Sequence, residues 1–346
     1  MKYSRVHIDA IGYELAPVVV TSDELEQRLE PLYRKLRMQP GQLLALTGIR
    51  ERRWWLPGNS LAEKAAAAGR KALQASGVNS TDIGCLIYAG VCREAFEPAT
   101  ACRVADGLGI QGKSLIYDLS NACLGVLNGI LDIANRIELG QIRAGMVVSC
   151  ESSREIVELT LQRLLDQPDM PHFSASLATL TGGSGAVAVL LTDGSFGRVG
   201  HRLLGGAALA EPEHHELCRW GIAPSDDGLH RQYMQTDAVA VMKNGIELGR
   251  RTWAAFLANL GWTADSVQRV ICHQVGEAHQ RTILQSLGIP PDRDFVTYPF
   301  LGNIGTVSLP MTAAIAAERG LLQAGQRVSL LGIGSGLNCL MLGVQW

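Results

Sequence analysis

Residues 120–149 read SNACLGVLNGILDIANRIELGQIRAGMVVS, and residues 302–331 read GNIGTVSLPMTAAIAAERGLLQAGQRVSLL. In each segment, an asparagine at a turn precedes an apolar helix, a glycine-containing loop and an apolar strand. Asn303 lies 182 positions after Asn121 (303 − 121). This internal repeat predicts a chain built from two similar halves.

A second pair of segments supports the repeat at nearly the same offset. Residues 60–90 and 244–274 share the order helix, turn and strand, and Asp265 lies 183 positions after Asp82 (265 − 82). The alternative explanation is that helix–turn–strand units look alike in any α/β protein. Two pairs of segments at nearly the same offset favour duplication.

The predicted strands are continuous apolar runs, which is typical of sheets covered on both faces by helices. Strands that alternate with helices imply βαβ units and a mostly parallel sheet. We therefore predict an α/β fold with two pseudo-symmetric halves, an N-terminal half at 1–195 and a C-terminal half at 196–346. Residues 151–180 and 197–235 have weak periodicity and many charges, so we expect insertions there that line a substrate entrance.

The overall composition excludes several classes of protein. Hydrophobic residues make up 47% of the 346 residues and the formal net charge is −2, so a large core is expected and a nucleic-acid partner is not. The N-terminus does not resemble a signal peptide, and no apolar run is long enough for a membrane helix. We expect a cytoplasmic protein without membrane insertion. The eight cysteines contain no Cys-x-x-Cys pair, so neither a metal site nor a disulfide framework is predicted.

Chemically useful side chains follow three of the predicted strands. Cys123 sits where a strand turns directly into a helix, and a helix N-terminus lowers the pKa of a thiol. We predict that Cys123 is a nucleophile; the alternative is a packed core cysteine. His273 ends another strand and is its expected partner, whereas His279 is expected to face elsewhere on a helix. Asn303, on a glycine-flanked turn, is a candidate amide donor or simply a turn residue.

A thiol, an imidazole and an amide at symmetry-related strand ends are what thioester chemistry requires. The thiol forms an acyl-enzyme, and two fixed N–H donors stabilise an oxyanion or enolate. Gly334, Ser335 and Gly336 form a glycine-rich stretch with too few residues after it for a dinucleotide-binding unit. We expect its backbone to approach the nucleophile and the substrate oxyanion. His214 and His215 have no spaced third ligand and are read as surface residues.

These motifs resemble the Cys–His–Asn set of the ketosynthase III branch of the thiolase superfamily. The resemblance includes Asn-Ala-Cys123, His273-Gln, Gly-Asn303 and Thr47-Gly-Ile-Arg-Glu-Arg52, and it runs the whole length of the chain. Within that branch, the chain is most similar to the olefin-pathway enzymes that condense two fatty acyl-CoA molecules head to head. The resemblance implies a layered αβαβα thiolase fold, a homodimer and no cofactor beyond CoA thioesters as substrates.

The chain also departs from the ketosynthases of fatty-acid synthesis. Leu46 replaces an arginine that helps to hold CoA in those enzymes, and Ala278 replaces an arginine that recognises acyl carrier protein. Arg281 is a possible substitute. The loss of the second arginine argues against recognition of acyl carrier protein. Acyl-CoA stays the expected substrate, with acyl carrier protein as a possible partner.

Glu97 decides between two kinds of condensation. A decarboxylating ketosynthase obtains its carbanion by losing CO₂, whereas condensing two acyl-CoAs requires a base for an α-proton. Residues 96–100 (FEPAT) resemble a motif of the olefin-pathway enzymes in which a glutamate reaches from one subunit into the other's active site. The resemblance gives Glu97 that role; the alternative is a solvated loop carboxylate.

The sequence thus predicts an acyltransferase that makes a 2-alkyl-3-oxo acid or its thioester by non-decarboxylative Claisen condensation. Two alternatives remain open at this point. One is a decarboxylating 3-oxoacyl synthase III that uses a malonyl thioester. The other is a Cys–His thioester hydrolase or acyl-transfer enzyme that forms no C–C bond.

Overall fold

The computed structural model describes residues 1–197, 200–224 and 229–346. Its strands are β1 (His7–Leu15), β2 (Val18–Thr21), β3 (Glu51–Trp54), β4 (Ile83–Ala89), β5 (Leu115–Leu119), β6 (Ala144–Glu151), β7 (Gly185–Thr192), β8 (His201–Ala210), β9 (Cys218–Pro224), β10 (His230–Thr236), β11 (Arg269–Cys272), β12 (Arg327–Gly334) and β13 (Asn338–Gln345). Its helices are α1 (Ser22–Arg28), α2 (Glu30–Leu36), α3 (Gln42–Thr47), α4 (Leu61–Ser76), α5 (Thr100–Leu108), α6 (Gly125–Glu138), α7 (Arg154–Asp166), α8 (Met170–Leu180), α9 (Ala238–Leu260), α10 (Glu277–Leu287), α11 (Tyr298–Leu301) and α12 (Ser308–Glu318). Within the described ranges, no helix is both long and apolar enough to cross a membrane.

A single large sheet contains the two repeats in matching positions. Its strand order is β11-β12-β13-β8-β1-β7-β6-β4-β5. β1 and β8 meet in the middle, where His7 lies opposite Arg202 and Ile8 opposite His201. Outward from this contact the order is β1-β7-β6-β4 on one side and β8-β13-β12-β11 on the other. The two predicted pseudo-symmetric halves are confirmed, while the boundary at residue 195 stays a prediction.

Strand direction differs from the predicted mostly parallel arrangement. The pairs β4–β5, β4–β6 and β11–β12 are parallel, but the other pairs described in this sheet are antiparallel. The apolar runs predict that both faces of each strand are buried. Burial does not determine whether neighbouring strands run parallel or antiparallel. β12 and β13, for example, are joined by residues 335–337 alone, and so short a connection permits only an antiparallel hairpin.

The helices form three layers around the two halves of the sheet, which confirms the αβαβα architecture. α6 and α12 share one hydrophobic core with the inner faces of the sheet. Residues 308–316 of α12 are all buried, as expected for a helix enclosed on every side. α4 and α5 cover the outer face of the first half, and α9 and α10 cover that of the second.

The two central helices begin side by side. The backbone N–H of Val126 donates to Thr306 Oγ1 at 2.7 Å. Gly125 fits between this threonine and the end of β4, because a Cβ there would lie 3.4 Å from both Ala89 C and Thr306 Oγ1. This contact joins the turn that holds Cys123 to the turn that holds Asn303.

The two predicted insertions contain more regular structure than expected. Residues 151–180 form α7 and α8, and α8 is capped by Asp169, whose carboxylate accepts the His172 N–H at 2.9 Å. The segment 197–235 includes β8, a central strand of the sheet, and only its later part forms the added hairpin β9–β10. β10 packs on α7 and α8. Residues 198–199 and 225–228 of this prediction lie outside the described residues.

Candidate active site

A cavity of about 580 Å³ lies where β6, β11 and β12 end and where α6 begins. Cys123, His273 and Asn303 all line it. The structure therefore brings together the three residues that the sequence analysis predicted to meet. The predicted strand before Asn303 is wrong, because the short helix α11 (Tyr298–Leu301) precedes its turn. Much of the remaining wall is apolar, and includes Ile156, Trp220, Met234, Val275, Ile333 and Leu337.

Cys123 lies in a tight, strained turn between β5 and α6. Ala122 has a φ of 45°, in the left-handed region that residues with a Cβ rarely adopt. The Leu124 N–H closes the turn on the Asn121 carbonyl at 2.9 Å, and Asn338 Nδ2 donates to Asn121 Oδ1 at 3.2 Å. A strained backbone that neighbouring hydrogen bonds stabilise in this way is typical of functional sites.

The predicted low pKa of Cys123 is wrong. Burial, with smaller contributions from Cys218 and Glu151, raises the pKa of the thiol to about 12. α6 starts two residues later, and its first N–H groups are engaged by the Ala122 carbonyl and by Thr306 Oγ1. The end of the helix therefore does not offset the cost of a buried thiolate. The predicted role of Cys123 as a nucleophile would therefore require a base that accepts the thiol proton.

His273 follows β11 and is held as a neutral imidazole. Its Nδ1 lies 2.8 Å from the hydroxyl of Ser308, the first residue of α12. Burial, helped by His279, lowers the pKa of His273 to about 3. When the Ser308 hydroxyl donates to Nδ1, the proton of the neutral ring is on Nε2. In that tautomer His273 is a hydrogen-bond donor to a group in the cavity.

The side chain of Asn303 is oriented by its own turn. Its Oδ1 accepts the Gly305 N–H at 3.1 Å, which leaves the Nδ2 donors for a group in the cavity. The backbone is fixed as well, since the Asn303 N–H donates to Thr181 and its carbonyl accepts the Gly183 N–H, both at 2.9 Å. Asn303 thus has the geometry of a preorganised amide donor.

Two members of the glycine-rich stretch line the cavity. Gly334 ends β12, and a Cβ there would lie 3.4 Å from the backbone nitrogen of Cys123. Ser335 also lines the cavity, whereas Gly336 is not among its lining residues. The backbone thus approaches Cys123 closely at Gly334, as expected for a glycine. A role for these residues towards the oxyanion stays a prediction.

Glu97 lies outside this cavity. It is exposed on the loop between β4 and α5, next to Phe96, which is 95% exposed. Within one chain, Glu97 therefore does not join Cys123. The predicted role of Glu97 depends on a second subunit and stays a prediction.

His279 was expected to face elsewhere, and this expectation is wrong. It lies in the first turn of α10 and lines the cavity together with His273. Burial lowers the pKa of His279 to about 4, and its Nδ1 has no hydrogen-bond partner among the described residues. Because α10 begins four residues after His273, the side chain of His279 in its first turn lies back towards the end of β11. The spacing of the two histidines in the sequence does not reveal this.

The sequence analysis also missed Glu151 and Cys218, which line the same cavity. Glu151 is the last residue of β6, and the rule that ligands bind at strand ends would have found it. Cys218 begins β9, in a segment whose pattern gave no indication of a strand over the active site.

Other candidate sites are accounted for by local structure. His214 and His215 lie in a short 3-10 helix and pair with Glu211 and Glu216. The eight cysteines are free thiols. Across residues 1–197, 200–224 and 229–346, no group of three His, Cys, Asp or Glu side chains could hold a metal ion.

Comparison with known proteins gives matches over the whole chain. Residues 257–346 match the family described as 3-oxoacyl-[acyl-carrier-protein] synthase III, C terminal. The chain is 57% identical to an acyl-CoA:acyl-CoA alkyltransferase of Shewanella oneidensis and 34% identical to one of Xanthomonas campestris pv. campestris, with 100% of each chain covered. The crystal structure of a cysteine-to-serine variant of Xanthomonas campestris OleA with bound lauric acid and lauroyl-CoA superposes with a TM-score of 0.93 at 33% identity, covering 99% of this chain and 100% of that chain.

Proposed function

This chain belongs to the acyl-CoA:acyl-CoA alkyltransferase family of thiolase-like enzymes, and we propose that it condenses two fatty acyl-CoA molecules head to head. The family and enzyme class indicated by the sequence motifs are confirmed. The observation that carries the proposal is the meeting of Cys123, His273 and Asn303 in one largely apolar cavity. Such a cavity suits an acyl chain, since each buried methylene contributes about 0.8 kcal/mol.

The first half of the reaction acylates Cys123. The Cys123 S–H bond breaks, its sulfur forms a bond to the carbonyl carbon of the first acyl-CoA, and the bond from that carbon to the CoA sulfur breaks. CoA leaves as the thiol, and the proton that it gains balances the proton that Cys123 lost. His273 and Asn303 line the cavity as neutral donors: His273 stabilises the oxyanion that forms in this half, and Asn303 acts mainly on the enolate of the second half.

The second half forms the C–C bond. A base removes an α-proton from the second acyl-CoA, and the resulting carbanion attacks the acyl carbonyl on Cys123. The acyl–sulfur bond then breaks and Cys123 regains a proton. The product is a 2-alkyl-3-oxoacyl thioester, and its hydrolysis gives the 2-alkyl-3-oxo acid.

We assign the base to Glu97 of the second subunit of a homodimer. Glu97 is exposed and lies outside the cavity of its own chain, as such an assignment requires. The neighbouring Phe96 leaves nearly all of its ring in water, and burial of an exposed aromatic side chain is a common anchor of protein interfaces. Acyl-CoA is the donor in this proposal, because the relatives are named acyl-CoA:acyl-CoA alkyltransferases and the related OleA structure holds lauroyl-CoA. The exposed Arg281 leaves acyl carrier protein as a possible partner.

The test uses a single acyl-CoA, with and without malonyl-CoA, followed by mass spectrometry of the products. We expect a product that contains two acyl chains without malonyl-CoA, and none from the Cys123→Ala variant. A product that requires malonyl-CoA would indicate a decarboxylating ketosynthase. Free fatty acid and CoA alone would indicate a hydrolase.

A further inference from the structure

Glu151 is a carboxylate that the mechanism above does not use. It ends β6, is 4% exposed and lines the cavity with Cys123. Its Oε1 accepts the Val91 N–H at 2.9 Å and its Oε2 accepts the Cys92 N–H at 3.2 Å. These bonds hold both oxygens at the end of β4, beside the strained turn of the nucleophile.

Glycines on two sides make room for this carboxylate. A Cβ on Gly305 would lie 3.3 Å from Glu151 Cγ, and one on Gly90 would lie 3.3 Å from Glu151 Oε1. Gly305 also donates its N–H to Asn303. Glu151 therefore lies between the end of β4 and the Asn303 turn, on the wall of the cavity that receives the thioester.

The charge on Glu151 is not neutralised by a cation. Burial raises the pKa of Glu151, while hydrogen bonds from the Val91 N–H and from the thiol and N–H of Cys92 oppose that shift. No lysine or arginine of the described ranges pairs with it. Four titratable groups interact electrostatically with the charge on Glu151. All are neutral acids whose pKa values are raised by burial, namely Tyr88, Cys92, Cys123 and Cys150. A buried carboxylate without a cationic partner accepts a proton readily.

His273 is poorly suited to take the thiol proton. Its Nδ1 is engaged by Ser308, and its Nε2 proton is needed as a donor to the oxyanion. Protonating it would create an imidazolium inside a site where burial opposes that charge. A transfer from Cys123 to Glu151, in contrast, only moves one negative charge from oxygen to sulfur. The number of buried charges stays the same.

We propose that Glu151 is the base that accepts the Cys123 proton during acylation, an inference that rests on the proposed function. The thiol proton moves to the carboxylate as sulfur bonds to the acyl carbon, and Glu151 returns it to the departing CoA sulfur. CoA leaves as a thiol and Glu151 is again a carboxylate, so atoms and charge balance. The enzyme then uses two carboxylates for two protons: Glu151 for the thiol and Glu97 for the α-carbon.

The test measures acylation separately from condensation. Purified protein is mixed with less than one equivalent of acyl-CoA, so that no second substrate is present, and the acyl adduct on Cys123 is followed by rapid quenching and intact mass. Glu151→Gln should slow the appearance of the adduct by about a hundredfold or more at neutral pH. Glu155→Gln is the matched control, because Glu155 is exposed and lies outside the cavity.

The pH profile separates a base from a merely structural residue. In the wild type, the acylation rate should be level above the pKa of Glu151 and fall below it. His273 and His279 do not produce this limb, since their pKa values are about 3 and about 4. In Glu151→Gln, hydroxide must remove the proton, so the rate should rise roughly tenfold per pH unit with no plateau.

Three outcomes would overturn the proposal. The first is a Glu151→Gln variant that is acylated at the wild-type rate with the wild-type pH profile. The second is a variant that loses only condensation. The third is a wild-type acylation rate that rises with pH without a plateau. This measurement tests the proposal even if the Glu151→Gln variant does not fold. A wild type that forms no adduct at all would instead refute the acyl-enzyme of the proposed function.

Discussion

Replacing Asn303 by alanine should slow condensation by a factor of about 10²–10³. The Asn303 Oδ1 is held by the Gly305 N–H at 3.1 Å, so the Nδ2 donors are already aimed when the enolate forms. Loss of one preorganised oxyanion donor costs about 2.7–4 kcal/mol of transition-state stabilisation, which is the origin of this factor. Alanine also leaves the Gly305 N–H without its acceptor, so some loss of stability of about 1–3 kcal/mol is expected.

Asn303→Asp is the matched control, because it separates donation from support of the turn. An aspartate retains an oxygen for the Gly305 N–H, so its thermal stability should stay closer to that of the wild type. It replaces the NH₂ donors by a second acceptor that carries negative charge, so condensation should fall at least as far as in the alanine variant.

The assay measures three quantities for each variant: the rate of Cys123 acylation, the rate of product formation and the melting temperature. We expect acylation to be affected much less than condensation. An Asn303→Asp enzyme that condenses at near the wild-type rate would refute the donor role, since only the support of the Gly305 turn would then matter. Equal losses in acylation and condensation would also make Asn303 structural.

Further predictions concern the nucleophile, the second carboxylate and the buried imidazoles. Cys123→Ser should abolish the acyl adduct seen by intact mass, and an adduct that persists on any of the other cysteines would remove Cys123 from its role. Glu97→Gln should stop condensation while Cys123 is still acylated. Mixing Glu97→Gln with Cys123→Ala should restore some activity through subunit exchange, and the lack of recovery would place Glu97 with its own chain's cysteine. The pKa values of His273 and His279 lie at about 3 and about 4, below the ordinary 6.5, so the unfolded chain binds these protons first as the pH falls. The free energy of unfolding should therefore decrease from about pH 6.5 towards pH 4, and denaturant titrations of His279→Gln should give a flatter profile; an equally steep one would exclude this contribution.

The repeat in the sequence predicted the parts of the fold that depend on local pattern. α4 with β4 and α9 with β11 come from one repeated pair, and α6 with β6 and α12 with β12 come from the other. These segments have continuous apolar runs because both faces of each strand are buried. The pairing of the two central helices follows from the same repeat, and it brings the candidate catalytic turns together.

The two central strands, β1 and β8, were not identified. β8 begins with His201 and Arg202 and is interrupted by Gly205 and Gly206. β1 mixes apolar residues with His7, Asp9 and Glu14. Distant parts of the chain provide partners for such groups: Tyr13 donates its hydroxyl to Glu318 at 2.6 Å, and Lys71 lies 2.9 Å from Glu14. These contacts join residues far apart in the sequence, so a pattern of neighbouring residues does not predict them.

The pKa of Cys123 could not be predicted from its position at the start of a helix. The helix N-terminus is a local feature, but the burial of the thiol and the nearby charge of Glu151 arise from elements far away in the sequence. The Ser308 hydroxyl that orients His273 is likewise provided by the second repeat. Residue types at strand ends indicated which groups meet, while their protonation states depend on the closed cavity.

The central claim is that both acyl groups come from ordinary acyl-CoA and that no carbon is lost. A single acyl-CoA labelled with ¹³C at its carbonyl carbon, supplied without malonyl-CoA, tests this directly when the products are analysed by mass spectrometry before any heating. The account predicts a 2-alkyl-3-oxo acid or thioester that carries two labelled carbons, one in the ketone and one in the carboxyl group. A product that appears only with unlabelled malonyl-CoA and carries one labelled carbon would contradict it.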